Sequence, residues 1–244
     1  MIRTFNRWFY PTLLGLFTAK RKLDYKSVPI VINNFNRYDK LLTLIDGLES
    51  RGYSNIWIID NDSSYPPLLE WYKTCPYKVV LLHENIGHLA LYKTGLFKLF
   101  RSSYFAYTDS DLEICKECPD DFMEKFIKLL KSDPRVVKVG FSLRIDDIPD
   151  HYANKKEVIE WESQFWKKEV RKGVYNAPVD TTFSVHKPWY PGGWCRFKDR
   201  HYRVGPPYVM RHLPWYLDAE NLSDEDKYYL ENIKTVTHWS DKNK

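Results

Sequence analysis

The 244-residue chain predicts an α/β fold: one domain with a mostly parallel central sheet flanked by helices. Two observations predict it. Short apolar runs rich in β-branched residues alternate five times with stretches of helical spacing, over short connections. That order is the signature of parallel strands covered by helices on both faces. Hydrophobic residues make up 43% of the chain against 28% charged, which is the balance of a packed core rather than a disordered chain.

The elements follow in order. "SVPIVINNF" (Ser27 to Phe35) is a buried strand. "DKLLTLIDGLES" has helical spacing at Leu41, Leu42, Ile45 and Leu48, with Gly52 just past its end. "NIWIID" (Asn55 to Asp60) is a second strand closed by the turn-rich "NDSSYPP"; "LLEWYKT" is a short helix and "YKVVLLHEN" a third strand. "GHLALYKTGLFKLFRSS" predicts one helix and "YFAYTD" a fourth strand. "CPDDFMEKFIKLLKSDP" starts at a proline, carries acids early and bases late, and stops before Pro134, as a helix should. "RVVKVGFSL" is the fifth strand. From about Asp146 the regularity fails. "KKEVIEWESQFWKKEVRK" predicts a long aromatic helix and "NAPVDTTFSVHKP" a strand or hairpin arm. "WYPGGWCRFKDRHYRVGPPYVMRHLPWYLD" predicts a lid-like loop over the scaffold. No repeat, low-complexity tract or linker divides the chain.

Composition excludes several classes. The net charge of +5 suits an anionic ligand or an acidic membrane surface, but without an arginine-rich block or nucleic-acid motif it does not point to nucleic acid. The four cysteines are too sparse for a disulfide scaffold and fit a reducing, cytoplasmic compartment. Cys115 and Cys118 form a C-x-x-C without the second ligand pair that a zinc site needs. No apolar run approaches the ~20 residues of a membrane span. Residues 1–26 are a basic amphipathic segment, with Phe5, Trp8, Phe9, Leu13, Leu14 and Phe17 among Arg3, Arg7, Lys20, Arg21 and Lys22. They suit either peripheral membrane contact or a helix packed on the domain.

In a parallel sheet, ligands bind beyond the carboxyl ends of the strands. Those ends carry Asn33 and Asn34, then Asp60, Asn61 and Asp62, then Glu84 and Asn85, then Asp109 and Asp111. Asp109 and Asp111 lie one residue apart behind the apolar "YFAY". Residues i and i+2 of an extended stretch point the same way, so both carboxylates can address one Mg²⁺ or Mn²⁺ ion. As two solvated acids in a turn they would carry no chemistry, but their place at a fourth βα strand end argues for a site.

"PIVINNFNR", "IWIIDNDSS", "ENIG…TGL" and "AYTDSDLEI" together resemble the GT-A glycosyltransferases, close to the family-2-like group and its small bacterial and large-virus members. The resemblance runs from about Val28 to Ile114. It implies a nucleotide-binding half over 27–114 and an acceptor half with the C-terminal loop over 115–244, within one domain spanning 27–244. It also implies donor contacts at Asn34, Phe35 and Arg37 in the first turn, at Asp60 against the nucleotide base, and at Asn85 and Gly87. Asp109 and Asp111 would hold metal and donor phosphates. Asn33 and Lys93 depart from the family pattern, and the usual Glu-Asp pair that carries the inverting base is not recognisable after the fifth strand.

Inverting transfer needs a carboxylate to take the acceptor proton. Asp180 in "NAPVDTTF" is the first candidate; Asp146, Asp147 and Glu162 compete, and in a retaining enzyme Asp180 would only orient a sugar. Arg211 is the candidate clamp for the diphosphate. His212 is the candidate third metal ligand, with His238 its rival, and Trp189, Trp194 and Trp215 either stack on sugars or pack the lid. The expected function is therefore transfer of a sugar from a nucleoside-diphosphate donor to a glycan or lipid-linked hydroxyl, with inversion and with Mn²⁺ or Mg²⁺. A haloacid-dehalogenase-type phosphohydrolase would place Asp-x-Asp near the N-terminus, followed by Thr. A nucleotidyltransferase would want a Gly-rich loop near the first strand. A binding module without chemistry stays open.

Overall fold

A computed structural model describes residues 23–190 and 199–233. The predicted N-terminal segment before Leu23, with Trp194, Cys195 and His238, lies outside the described residues. The first half of the sheet comprises β1 (Ile30–Asn34), β2 (Ile56–Asp60), β3 (Lys78–Leu81) and β4 (Phe105–Asp109), all parallel, in the order β3-β2-β1-β4. The second half adds β5 (Leu112–Ile114), β6 (Val136–Leu143), β7 (Glu169–Arg171), β8 (Val174–Asn176), β9 (Ser184–His186) and β10 (Arg200–His212). The order continues from β4 as β9-β6-β10-β8-β7, and β5 pairs with β10. Because β9 is antiparallel to both β4 and β6, those two run the same way, and β10 is parallel to β6. The carboxyl ends of β1, β2, β3 and β4 therefore share one rim, as the sequence predicts, and β6 and β10 extend it.

The helices are α1 (Asp39–Glu49), α2 (Pro66–Tyr72), α3 (Ala90–Lys93), α4 (Phe97–Phe100), α5 (Phe122–Ser132), α6 (Lys155–Ser163) and α7 (Asp224–Asn232). Strand alternation divides the core between two faces. Ile30, Ile32, Ile56, Ile58 and Ala106 join the large cluster with α1 and α5, while Val31, Ile59, Phe105 and Tyr107 pack under α3 and α4. Two-sided burial is why these strands read as unbroken apolar runs. At Gly140 of β6 a Cβ would lie 2.4 Å from the Phe183 carbonyl oxygen, so only glycine lets β9 approach this closely.

Three predicted elements differ, and one strand is additional. The single helix over "GHLALYKTGLFKLFRSS" is two short ones, α3 and α4, parted at Gly95 with φ +78°. The long helix from Lys155 ends at Ser163; after one 3-10 turn the chain forms the β7–β8 hairpin, which turns at Gly173 with φ +69°. The lid-like loop is in large part β10, whose pairing with β6 is interrupted between Val204 and Val209. Gly205, Pro206 and Pro207 fall in that interruption, where a missing N–H costs no ladder bond. β5 was not predicted. No described helix is long and apolar enough to cross a membrane.

Two buried histidines make stability pH-dependent. Burial, with Lys138 nearby, holds His186 well below its ordinary value and His201 at about 3 against 6.5 unperturbed. Between those values the unfolded chain binds protons that the folded chain refuses, so stability is full above pH 6.5 and falls as pH drops toward about 3. His201→Gln should flatten that acid slope by up to about 1.4 kcal/mol per pH unit, read as the denaturant midpoint against pH.

Candidate active site

The strand order reverses beside β1, where β2 lies on one side and β4 on the other. Such a switch point opens the ligand crevice of an α/β sheet. Asn33 of β1 and Asp109 of β4 are register partners there. Asp109 is half-buried; its N–H donates to the Thr181 carbonyl at 3.0 Å, and the Thr181 hydroxyl donates to its carboxylate. Burial first, then the charge of Asp111, pushes Asp109 well above the usual carboxylate range; Thr181 and Asn33 counter it and Asp180 adds to it. Two carboxylates held in mutual repulsion favour a cation between them.

Asp111 sits in the turn between β4 and β5, and its carbonyl accepts the Leu213 N–H at 2.9 Å. That contact, with the β5–β10 pairing of Leu112 to His212, brings the end of β10 to the acidic turn. His212 Nε2 lies 3.8 Å from Asp111 Oδ2. Burial lowers the His212 pKa, assisted by Arg37 and opposed by Asp111, which favours the neutral, metal-ligating imidazole. Asp111 Oδ1 and His212 Nδ1 are buried with no hydrogen-bond partner among the described residues. The donor set of carboxylates and imidazole thus fits a divalent cation. The described residues contain no cluster of three or more acid, histidine or cysteine side chains already arranged as a cation shell. Trp215, predicted as a sugar platform or packing residue, is buried and meets His212 at 4.7 Å.

The first turn is built from polar side chains. Asn34 Nδ2 donates to the Tyr72 hydroxyl at 3.0 Å, and Tyr72 donates to Asp60 Oδ2 at 2.9 Å. Asp60 Oδ1 accepts the Ser63 N–H at 2.8 Å. Asp60 is 2% exposed, so both its oxygens are engaged in shaping its own turn. Asn36, at φ 51°, accepts the N–H groups of Ser64 and Tyr65 and ties the first two turns together. Arg37 pairs with Asp226 at 2.6 Å and lies 3.5 Å from the Tyr229 ring centre, while Phe35 meets the same ring edge-on. Asn85 accepts the Gly87 N–H at 3.0 Å, and Asn61 brackets that turn by accepting from Ile86 and donating to the Gly87 carbonyl.

Arg211 does not stand with His212. Neighbours on a strand point to opposite faces, and the Arg211 guanidinium is committed to Asp147 at 2.6 Å and Glu113 at 3.1 Å. Asp147 also accepts from Tyr216 and pairs with Arg144, and Asp146 pairs with Arg144 at 2.9 Å. Glu162 is buried against Arg203 at 2.7 Å. Of the carboxylates weighed as base, Asp180 is exposed and adjoins Thr181, the residue that holds Asp109. Lys138 Nζ donates to the carbonyls of Val179 and Asp180, both at 3.0 Å, and fixes their path. Trp189 packs at 5.3 Å from Arg101. Cys115 and Cys118 are buried free thiols, raised by burial, and belong to the core.

Sequence reasoning did not single out Tyr72, Thr181 or Tyr229. Thr181 carried the one local signal, its place next to Asp180; the other two reach the rim only through tertiary contacts.

Glycosyl transferase family 2 matches residues 30–185, from the start of β1 into β9. No curated protein sequence matches the chain. Among solved structures, GalNAc-T7 with UDP, GalNAc and Mn²⁺ has a TM-score of 0.46 at 12% identity, covering 76% of this chain and 43% of that one. Glucosyl-3-phosphoglycerate synthase from Mycobacterium tuberculosis, with Mn²⁺, UDP and glucosyl-3-phosphoglycerate, has a TM-score of 0.41 at 12% identity, covering 71% and 60%. This chain therefore spans less than two thirds of either. The family match takes in every predicted donor-side residue from Asn34 to Asp111, and Asp180 as well. It covers well over half of the chain, which belongs to glycosyl transferase family 2, with a GT-A type α/β fold.

Proposed function

We propose that the chain transfers a sugar from a nucleoside-diphosphate donor to a hydroxyl of a glycan or lipid-linked acceptor, with inversion. The observation that carries this reading is the acidic turn at the switch point, where Asp111 Oδ1 and His212 Nδ1 are buried without partners beside the repelled Asp109. Asp109, Asp111 and His212 would hold Mn²⁺ or Mg²⁺. A divalent ion there supplies charge neutralisation for the donor diphosphate and for the diphosphate that departs. The turns at Asn34–Arg37 and Asn85–Gly87 flank the crevice and would orient the nucleotide.

Asp180 would accept the proton of the attacking hydroxyl. The acceptor oxygen then bonds to the anomeric carbon as the carbon–oxygen bond to the diphosphate breaks, and the bonding electrons leave with the phosphate. The basic segment before Leu23 would bring the enzyme to an acidic membrane surface that carries lipid-linked acceptors.

The test is thermal melting of the full chain with UDP, GDP and dTDP, each with and without Mn²⁺ or Mg²⁺. Melting temperature should rise only where nucleotide and metal are both present. Turnover of the matching sugar nucleotide then separates an enzyme from a binding module. No rise in any combination overturns the reading.

A further inference from the structure

α7 returns from the far end of the described chain to grip the donor rim. Glu225 and Asp226 are 1% and 4% exposed, and the cations they meet, Arg37 and Lys40, are 4% and 8% exposed. Asp226 Oδ1 accepts from Arg37 and from Lys40, each at 2.6 Å. Glu225 accepts from Lys40 at 3.2 Å and from the N–H groups of Tyr38 and Asp39 at the start of α1. Tyr228 donates to Ser64 in the second turn.

One face of this clasp looks toward the acidic turn. The Tyr229 ring covers the Arg37 guanidinium at 3.5 Å while Asp226 holds its NH1, so the guanidinium plane has little freedom. Its Nε is buried and has no hydrogen-bond partner among the described residues. Arg37 follows β1, whose Asn33 is the register partner of Asp109, and Phe35 of the same turn meets the Tyr229 ring at 6.1 Å. Tyr229 and Arg37 therefore stand at the end of the strand beside the one that carries the acidic turn.

We infer that Tyr229 is a positioning residue of the donor site. Stacked on Arg37, it holds the free Nε–H toward the diphosphate of a nucleoside diphosphate docked at the Asp109–Asp111 turn. This rests on the glycosyltransferase reading above. An arginine ordered in advance loses less rotamer freedom when its ligand arrives, so the stack contributes to affinity without touching the ligand.

The experiment is calorimetric titration of the full chain with UDP, GDP and dTDP in Mn²⁺. Tyr229→Leu should weaken the nucleotide that binds wild type by roughly tenfold, the scale of a desolvated cation–π contact. Tyr229→Phe keeps the ring and should bind as wild type does. In an Arg37→Ala background, Tyr229→Leu should add almost nothing, because the tyrosine acts through that arginine. If Tyr229→Leu does not fold, Tyr229→Gln takes its place in the same cycle. Unchanged affinity in Tyr229→Leu, or losses that add fully with Arg37→Ala, overturn this inference alone. A wild-type chain that binds no nucleotide with Mn²⁺ defeats the glycosyltransferase reading, and this inference falls with it.

Discussion

Asp111→Ala should abolish metal-dependent nucleotide binding while leaving the metal-free protein no less stable. The two halves of that result have one cause. Asp109 has a folded-state pKa above its unfolded value because it is buried and faces Asp111. A carboxylate raised in this way contributes stability at low pH and loses it as pH rises through the folded pKa. Near neutral pH the metal-free fold thus bears the repulsion of the pair, and removing Asp111 relieves it. Metal binding should move the other way. Asp111 Oδ1 is the unpartnered acceptor of the site, and its loss leaves Asp109 and His212 as the remaining candidate ligands. Disturbing even an outer partner of a metal ligand typically costs about 10–100-fold in affinity, so loss of a ligand should exceed about 100-fold. Melting curves with and without Mn²⁺ and nucleotide read both halves together. A variant that melts at or above wild type when metal-free and shows no metal-dependent rise meets the expectation. If the Asp111→Ala variant shows the same rise with metal and nucleotide as wild type does, Asp111 is removed from the cation site.

The parallel half of the sheet was legible because its rule is local. Strands covered on both faces must be apolar at every position, and Ile30 to Ile32 and Ile56 to Ile59 are. The aspartate pair was legible for the same reason, since two acids directly behind a buried run need no distant partner to stand out. The second half of the chain obeys longer-range rules. β7 is an exposed edge strand whose charged residues resemble a helix surface. β10 has a glycine and two prolines at the point where its pairing is interrupted, and such residues elsewhere mark loops. Arg211 is paired with Asp147 and Glu113, which lie far from it in the chain, so no local window shows that its guanidinium already has acidic partners. Glu225, Asp226 and Tyr229 reach Arg37 across nearly the whole domain, and no window of sequence contains both ends of that contact.

Asp180→Asn should lower turnover by about 10²–10⁴-fold while sparing donor affinity, the range expected when a general base is lost. The substitution keeps shape and hydrogen-bonding reach and removes the negative charge together with the ability to accept a proton. The segment that presents Asp180 does not depend on its carboxylate. Lys138 holds the carbonyls of Val179 and Asp180, and Arg203 Nε donates to the Pro178 carbonyl at 2.7 Å. The next residue, Thr181, keeps its hydroxyl on Asp109. Geometry around the aspartate pair should therefore survive, and nucleotide titration should match wild type. A fall in kcat with the donor dissociation constant unchanged is the mark of an interaction made only as the reaction proceeds. Near-normal turnover would remove Asp180 from proton transfer. Asp146, Asp147 and Glu162 are already bound to arginines. Such a result would therefore favour transfer with retention of configuration, in which no base of this kind is obligatory.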